Sequence, residues 1–126
     1  MATPFDMVRN RARSEMLVVD VEWRDGATVV QLRQELDLAT VDVLRATLEG
    51  LGACRNLVLD MRGLSFIDSS GLHLLVELHQ RSALDGFELR LVAPPAPVDT
   101  PIRLCGLDEQ LPFVSASELP LDGLAA

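Results

Sequence analysis

The chain has 126 residues, 48% of them apolar, with a formal net charge of −8 and a pI near 4.6. That length and apolar content suit one domain with one core and exclude a disordered chain. The acid surplus argues against nucleic acid and anionic membrane as partners, which clustered Lys and Arg would hold, and no apolar run approaches the ~18 residues of a membrane-spanning helix.

Residues 1–14 mix charges of both signs without periodicity and predict a flexible N-terminal arm. They have no apolar h-region, so no signal peptide is expected. Cys54 and Cys105 lie far apart and outside any C-x-x-C pair, as in a protein of a reducing compartment. A cytoplasmic location is the expectation.

Met16 to Trp23 alternates, with Val19, Val21 and Trp23 on one side of a half-buried strand and Asp20 and Glu22 on the other. Asp25-Gly26 is a hairpin signal, and Ala27 to Leu36 supplies the second, antiparallel strand. There Val30, Leu32, Gln34 and Leu36 share a face. Asp37 or Thr40 is placed to cap a helix whose apolar stripe is Val41, Leu44, Leu48 and Leu51, with Gly50 and Gly52 at its end. Leu57 to Met61 is apolar enough for a central strand covered on both faces. A second helix is expected over roughly 71–84, with Leu72, Leu75, Val76, Leu78 and Ala83 inward. Phe87 to Val92 alternates as a strand. Pro94, Pro95 and Pro97 stiffen the connector that follows. A short helix over Val98–Cys105 has Asp99 or Thr100 as cap and Pro101 in its first turn. Leu111 to Val114 is a short edge-strand candidate, and residues 118–126 are a loose tail.

The order β-β-α-β-α-β-α-(β) predicts a single α/β domain over residues 15–117. Its mixed sheet has four to five strands, parallel where strands and helices alternate.

The motifs of common chemistry are missing. There is no GxxxxGK[ST] or GxGxxG cradle and no G-x-S-x-G elbow. His73 and His79 stand six apart, on different faces of one helix, without an acid cluster to complete a metal site. No catalytic residues, metal or cofactor are therefore expected. Attention falls on Asp68-Ser69-Ser70-Gly71, where a strand path turns into a helix. Three residues of capping type stand where one suffices, flanked by apolar Phe66, Ile67 and Leu72. A hydroxyl at a helix N-terminus suits phosphorylation, because the unpaired N–H groups and the dipole stabilise the added charge. Capping physics accepts either serine as the acceptor.

The chain resembles the STAS domain of bacterial anti-sigma factor antagonists. The matching residues are Gln34-Glu35-Leu36-Asp37, Leu57-Val58-Leu59-Asp60, Leu64 through Leu72, Gly86 through Val92, and Cys105-Gly106-Leu107 with Phe113. The likeness spans about residues 16–117. The family usually has Gly where Gln34 stands. The resemblance implies that Ser69, directly after Asp68, is phosphorylated by a partner anti-sigma factor that is also a serine kinase and brings its own ATP and Mg²⁺. Unphosphorylated antagonist binds this kinase and frees a sigma factor; phosphorylation ends binding until a phosphatase resets Ser69. The resemblance further implies that Asp37 and Asp68 shape the site, while Ser70, Gly71 and Leu72 open the docking helix. Two other readings stay open: a STAS subunit of another assembly, such as a stress-signalling complex or a lipid-transport ATPase accessory, and a small hydrolase using Ser69 as nucleophile.

Overall fold

Asp25 and Gly26 both take positive φ, 49° and 81°, as a two-residue hairpin turn demands. In this computed structural model, which describes residues 16–119 and the backbone of Arg9–Arg13, that turn joins β2 (Leu17–Arg24) to β3 (Ala27–Leu36) in antiparallel register from Leu17↔Gln34 to Arg24↔Ala27. β3 then pairs in parallel with β4 (Asn56–Ile67), and β4 with β5 (Glu88–Val92). The strand–helix alternation anticipated this parallel half.

The fifth strand is not the one anticipated. Arg9–Arg13, inside the expected arm, forms β1 and pairs antiparallel with β2, giving the order β1-β2-β3-β4-β5. Nothing local marks RNRAR as a strand; the unpaired edge of β2 supplies its hydrogen bonds. At the opposite edge, the segment around Phe113 makes only an isolated parallel bridge to Leu91. Leu91 N donates to Pro112 O, and Val114 N to Leu91 O.

Two helices, α1 (Val41–Gly50) and α2 (Ser69–Asp85), together with the short α3 (Thr100–Leu104) and α4 (Leu107–Gln110), follow the strands. The main core is one continuous set of side chains. Val19, Leu32, Leu59, Met61 and Leu91 from the sheet meet Leu44, Leu75 and Ile102 from the helices, all of them fully buried. Burying each such side chain contributes roughly 1.5–3 kcal/mol. On the other sheet face, Val29, Val58 and Val92 are covered by Leu119, so the chain is ordered past the start of the expected tail; the residues beyond lie outside those described. Three inward positions differ from expectation. Trp23, beside the hairpin turn, is 67% exposed; Gln34 and Ala83 are exposed as well, and Leu74 and Ser82 are buried on α2 instead.

β4 runs well past the Leu57–Met61 stretch because it is irregular. Two steps along β3, Gln31 to Arg33, match three along β4, Asp60 to Gly63; one step, Gln34 to Glu35, matches two, Leu64 to Phe66. Each extra residue re-aims the side chains, which is how Met61, Leu64 and Ile67 are all buried at a spacing of three. Gly63 is needed at the first irregularity: a Cβ there would stand 2.8 Å from Leu32 O. Fully buried Asp60 is satisfied by Arg62, whose N, Nε and Nη2 donate to it at 3.1, 3.0 and 2.9 Å.

At the second irregularity Gln34 holds φ +80°, a left-handed conformation, and its carbonyl accepts from Ser65 Oγ at 3.0 Å. A side chain there is strained by roughly 1–2 kcal/mol. A glycine removes that strain and, after its own entropic penalty, Gln34→Gly is expected to raise unfolding free energy by about 1 kcal/mol, read from chemical denaturation.

Candidate functional site

The carboxyl ends of the adjacent parallel strands β3 and β4 open at one rim of the sheet, where open α/β sheets hold their functional groups. Asp68 is the first residue past β4. Its backbone is extended, φ −116° and ψ −172°, and it is the N-cap of α2. Oδ1 accepts from Ser70 N at 2.9 Å and Gly71 N at 3.1 Å. Oδ2 accepts from Leu38 N at 3.1 Å. One carboxylate thus caps a 17-residue helix and ties down the loop after β3. The backbone adds Asp68 N to Leu36 O at 3.3 Å and Leu72 N to Asp68 O at 3.0 Å.

The loop has its own organiser. Asp37 Oδ1 accepts from Ala39 N at 3.0 Å and Thr40 N at 3.2 Å, an Asx turn. Buried Thr40 donates its hydroxyl to Glu35 O at 2.9 Å and accepts from Asp37 N at 3.0 Å. Thr40 is the N-cap of α1, yet neither its side chain nor that of Asp37 makes the capping bond to the helix; Val41 N bonds instead to Asp37 O at 2.8 Å. Sequence reasoning named the right residues for a different job, because both motifs use the same polar atoms.

With Asp68 as cap, α2 starts at Ser69, two residues before the expected start. Ser69 is exposed and Ser70 is half-buried. Gly71 is buried under the end of β3: a Cβ would meet Ile67 Cγ1 at 2.7 Å and Leu36 O at 2.8 Å. Leu72 and Ile67 join the core. Phe66 does not; it is 47% exposed, as are Met16 at 43% and Leu38 at 75%. Of these, Leu38 is tied directly to the Asp68–Ser69 turn, and the other two are linked to Glu35 at the end of β3. Glu35 N donates to Met16 O at 2.7 Å, Glu35 is in register with Phe66, and Leu38 is held by Asp68. Sequence periodicity missed Leu38 and Met16; an out-of-period Leu within a polar turn was the available signal.

A cavity of about 500 Å³ lies elsewhere, between α1 and α2 near the C-terminal end of α2, lined by Leu48, Cys54, Leu57, Leu78 and Phe87 and bordered by the Arg45–Glu77 ion pair. Burial pushes the Cys54 thiol up from its ordinary ionisation range. None of the Asp37 or Asp68–Leu72 residues lines it. His73 is exposed and His79 half-buried, and among the described residues no three His, Cys, Asp or Glu side chains converge on a possible metal. No described helix is long and apolar enough to cross a membrane.

The STAS-domain profile matches residues 18–118. An anti-sigma F factor antagonist of Paenibacillus polymyxa is 28% identical over 100 residues, covering 77% of this chain and 86% of that protein. Among solved structures, an anti-sigma factor antagonist from Mycobacterium paratuberculosis superposes with TM-score 0.69 at 23% identity, covering 85% of this chain and 93% of that one. The Bacillus cell fate determinant SpoIIAA, in its phosphorylated form, superposes with TM-score 0.59 at 23% identity over 79% of this chain and 94% of its own.

The two oxygens of Asp68 can be separated by mutation. Asp68→Asn keeps one acceptor for the helix cap but places an N–H₂ group where Leu38 N needs an acceptor. It is expected to lose less stability than Asp68→Ala, which removes the cap as well and costs about 1–2 kcal/mol. In both, amide exchange at Leu38 accelerates. Gly71→Ala, with no room against Leu36 O, costs about 1–3 kcal/mol by overpacking; thermal unfolding reads all three.

Proposed function

The chain belongs to the STAS-domain family, and on that premise we propose that it is a non-enzymatic anti-sigma factor antagonist switched by phosphorylation of Ser69. The unphosphorylated form binds an anti-sigma factor that is also a serine kinase, releasing a sigma factor. The kinase supplies ATP and Mg²⁺, and a phosphatase restores the binding form.

The observation that carries this reading is the division of labour at the start of α2. Asp68 satisfies the helix amides, so neither serine is needed as a cap. Of the two, Ser69 has the exposed side chain, which favours it as acceptor on accessibility, independently of the family resemblance. The exposed Leu38, held by Asp68, gives a protein partner an apolar anchor beside it. Phosphate adds about −1.5 to −2 charges next to Asp68. Desolvating it against a partner is unfavourable, so the same modification that leaves the fold intact ends docking. Ser69 Oγ makes no hydrogen bond to a base among the described residues, which supports a phosphate acceptor over a nucleophile.

Incubation with an anti-sigma factor serine kinase and ATP is expected to add one phosphate, mapped by mass spectrometry to Ser69. Modification at another residue, or none with a kinase that binds the protein, overturns the assignment. Ser69→Ala binds the kinase and stays unmodified, and Ser69→Asp binds about tenfold or more weakly, a loss of at least ~1.4 kcal/mol, measured by calorimetry. Loss of an esterase or phosphatase activity in Ser69→Ala would instead support a hydrolase.

A further inference from the structure

Resting on the reading of Ser69 as phosphate acceptor, we propose that His73 is the cationic partner of the phosphate on that serine. Ser69 is the first residue of α2, so His73 stands at i+4, one turn on and on the same face. Helical side chains lean toward the N-terminus, which carries the imidazole back over position 69. Both residues are exposed, so a phosphate on Ser69 and the ring can meet without moving the backbone.

The surroundings leave this role to His73. A phosphate at a helix start is ordinarily held by backbone N–H groups, but here Ser70 N and Gly71 N already donate to Asp68 Oδ1, and Leu72 N to Asp68 O. Among the described residues, the charged groups tied to the turn are Asp68 itself, Asp37 in the loop bonded to it, and Glu35 at the end of β3, all of the wrong sign. One turn beyond His73, Glu77 is paired with Arg45 from α1, and Arg45 also holds Asp42. In the first two turns of α2, Ser69 to Val76, His73 is the one side chain able to carry positive charge. His79 lies farther along, half-buried, with Nδ1 buried and unpartnered. An imidazolium at 73 therefore donates to a phosphate oxygen and offsets the repulsion from Asp68.

The test installs phosphoserine at position 69 during translation, so it needs no kinase, and follows the second phosphate ionisation, ordinarily near ~6, by ³¹P NMR. In the protein with His73 that midpoint is expected to lie about 0.3 pH unit or more below its value in His73→Gln, which is about 0.4 kcal/mol at 1.36 kcal/mol per unit. His73→Arg, with a permanent charge, is expected to keep the low midpoint, and the His73 ring protons to shift on modification while those of His79 stay in place. Equal midpoints in the His73 and Gln proteins, or a low midpoint lost equally in His73→Arg, overturn the assignment of His73. The role of Ser69 itself falls only if the kinase experiment fails, so the two failures are distinguishable.

Discussion

The Asp68 carboxylate joins two parts of the chain that are thirty residues apart. Three backbone N–H groups converge on it, two from the first turn of α2 and one from the loop after β3. A carboxylate is the side chain suited to this, since it offers acceptors in two directions and no donor of its own. Charge also favours it at the positive end of a helix dipole. With the cap supplied from one residue earlier, Ser69 enters the helix with its hydroxyl uncommitted. The availability of that serine is thus a consequence of where the carboxylate sits.

Getting Asp68 to that place depends on β4. The strand follows β3 for 12 residues with two interruptions in register. Those interruptions keep Met61, Leu64 and Ile67 in the core while bringing the end of β4 beside the end of β3. The second coincides with left-handed Gln34, where a glycine would leave no Cβ to strain. Gly71 then lets the first turn of α2 lie directly against Leu36 O. Pairing irregularity, a positive φ and a missing Cβ all serve one close approach between a loop and a helix start.

Leu38, in the loop tied to that approach, is exposed, whereas the cavity between α1 and α2 lies away from it. Asp37, Asp68, Ser69, Ser70 and Gly71 are gathered at the rim, and none of them lines the cavity.

Elements with strong local signals were legible in the chain. Asp-Gly fixed the hairpin, the 3.6-residue stripe of Val41 and Leu44 fixed α1, and strand–helix alternation predicted parallel pairing of β3, β4 and β5. The segment from Asp68 to Gly71 was legible as a helix start for the same reason: its polar atoms compete locally for amides. Long-range pairing decided the rest. β1 exists because β2 offers an edge, which no property of RNRAR announces. The length of β4 was hidden because its two extra residues break the alternation that identifies a strand. The choice of Asp68 as the cap, the exposure difference between Ser69 and Ser70, and the outward positions of Phe66 and Leu38 follow from how β3, β4 and α2 meet. Sequence determines which atoms can make a hydrogen bond or bury a methyl group; tertiary structure decides which of them are already engaged, and therefore which remain free to bind.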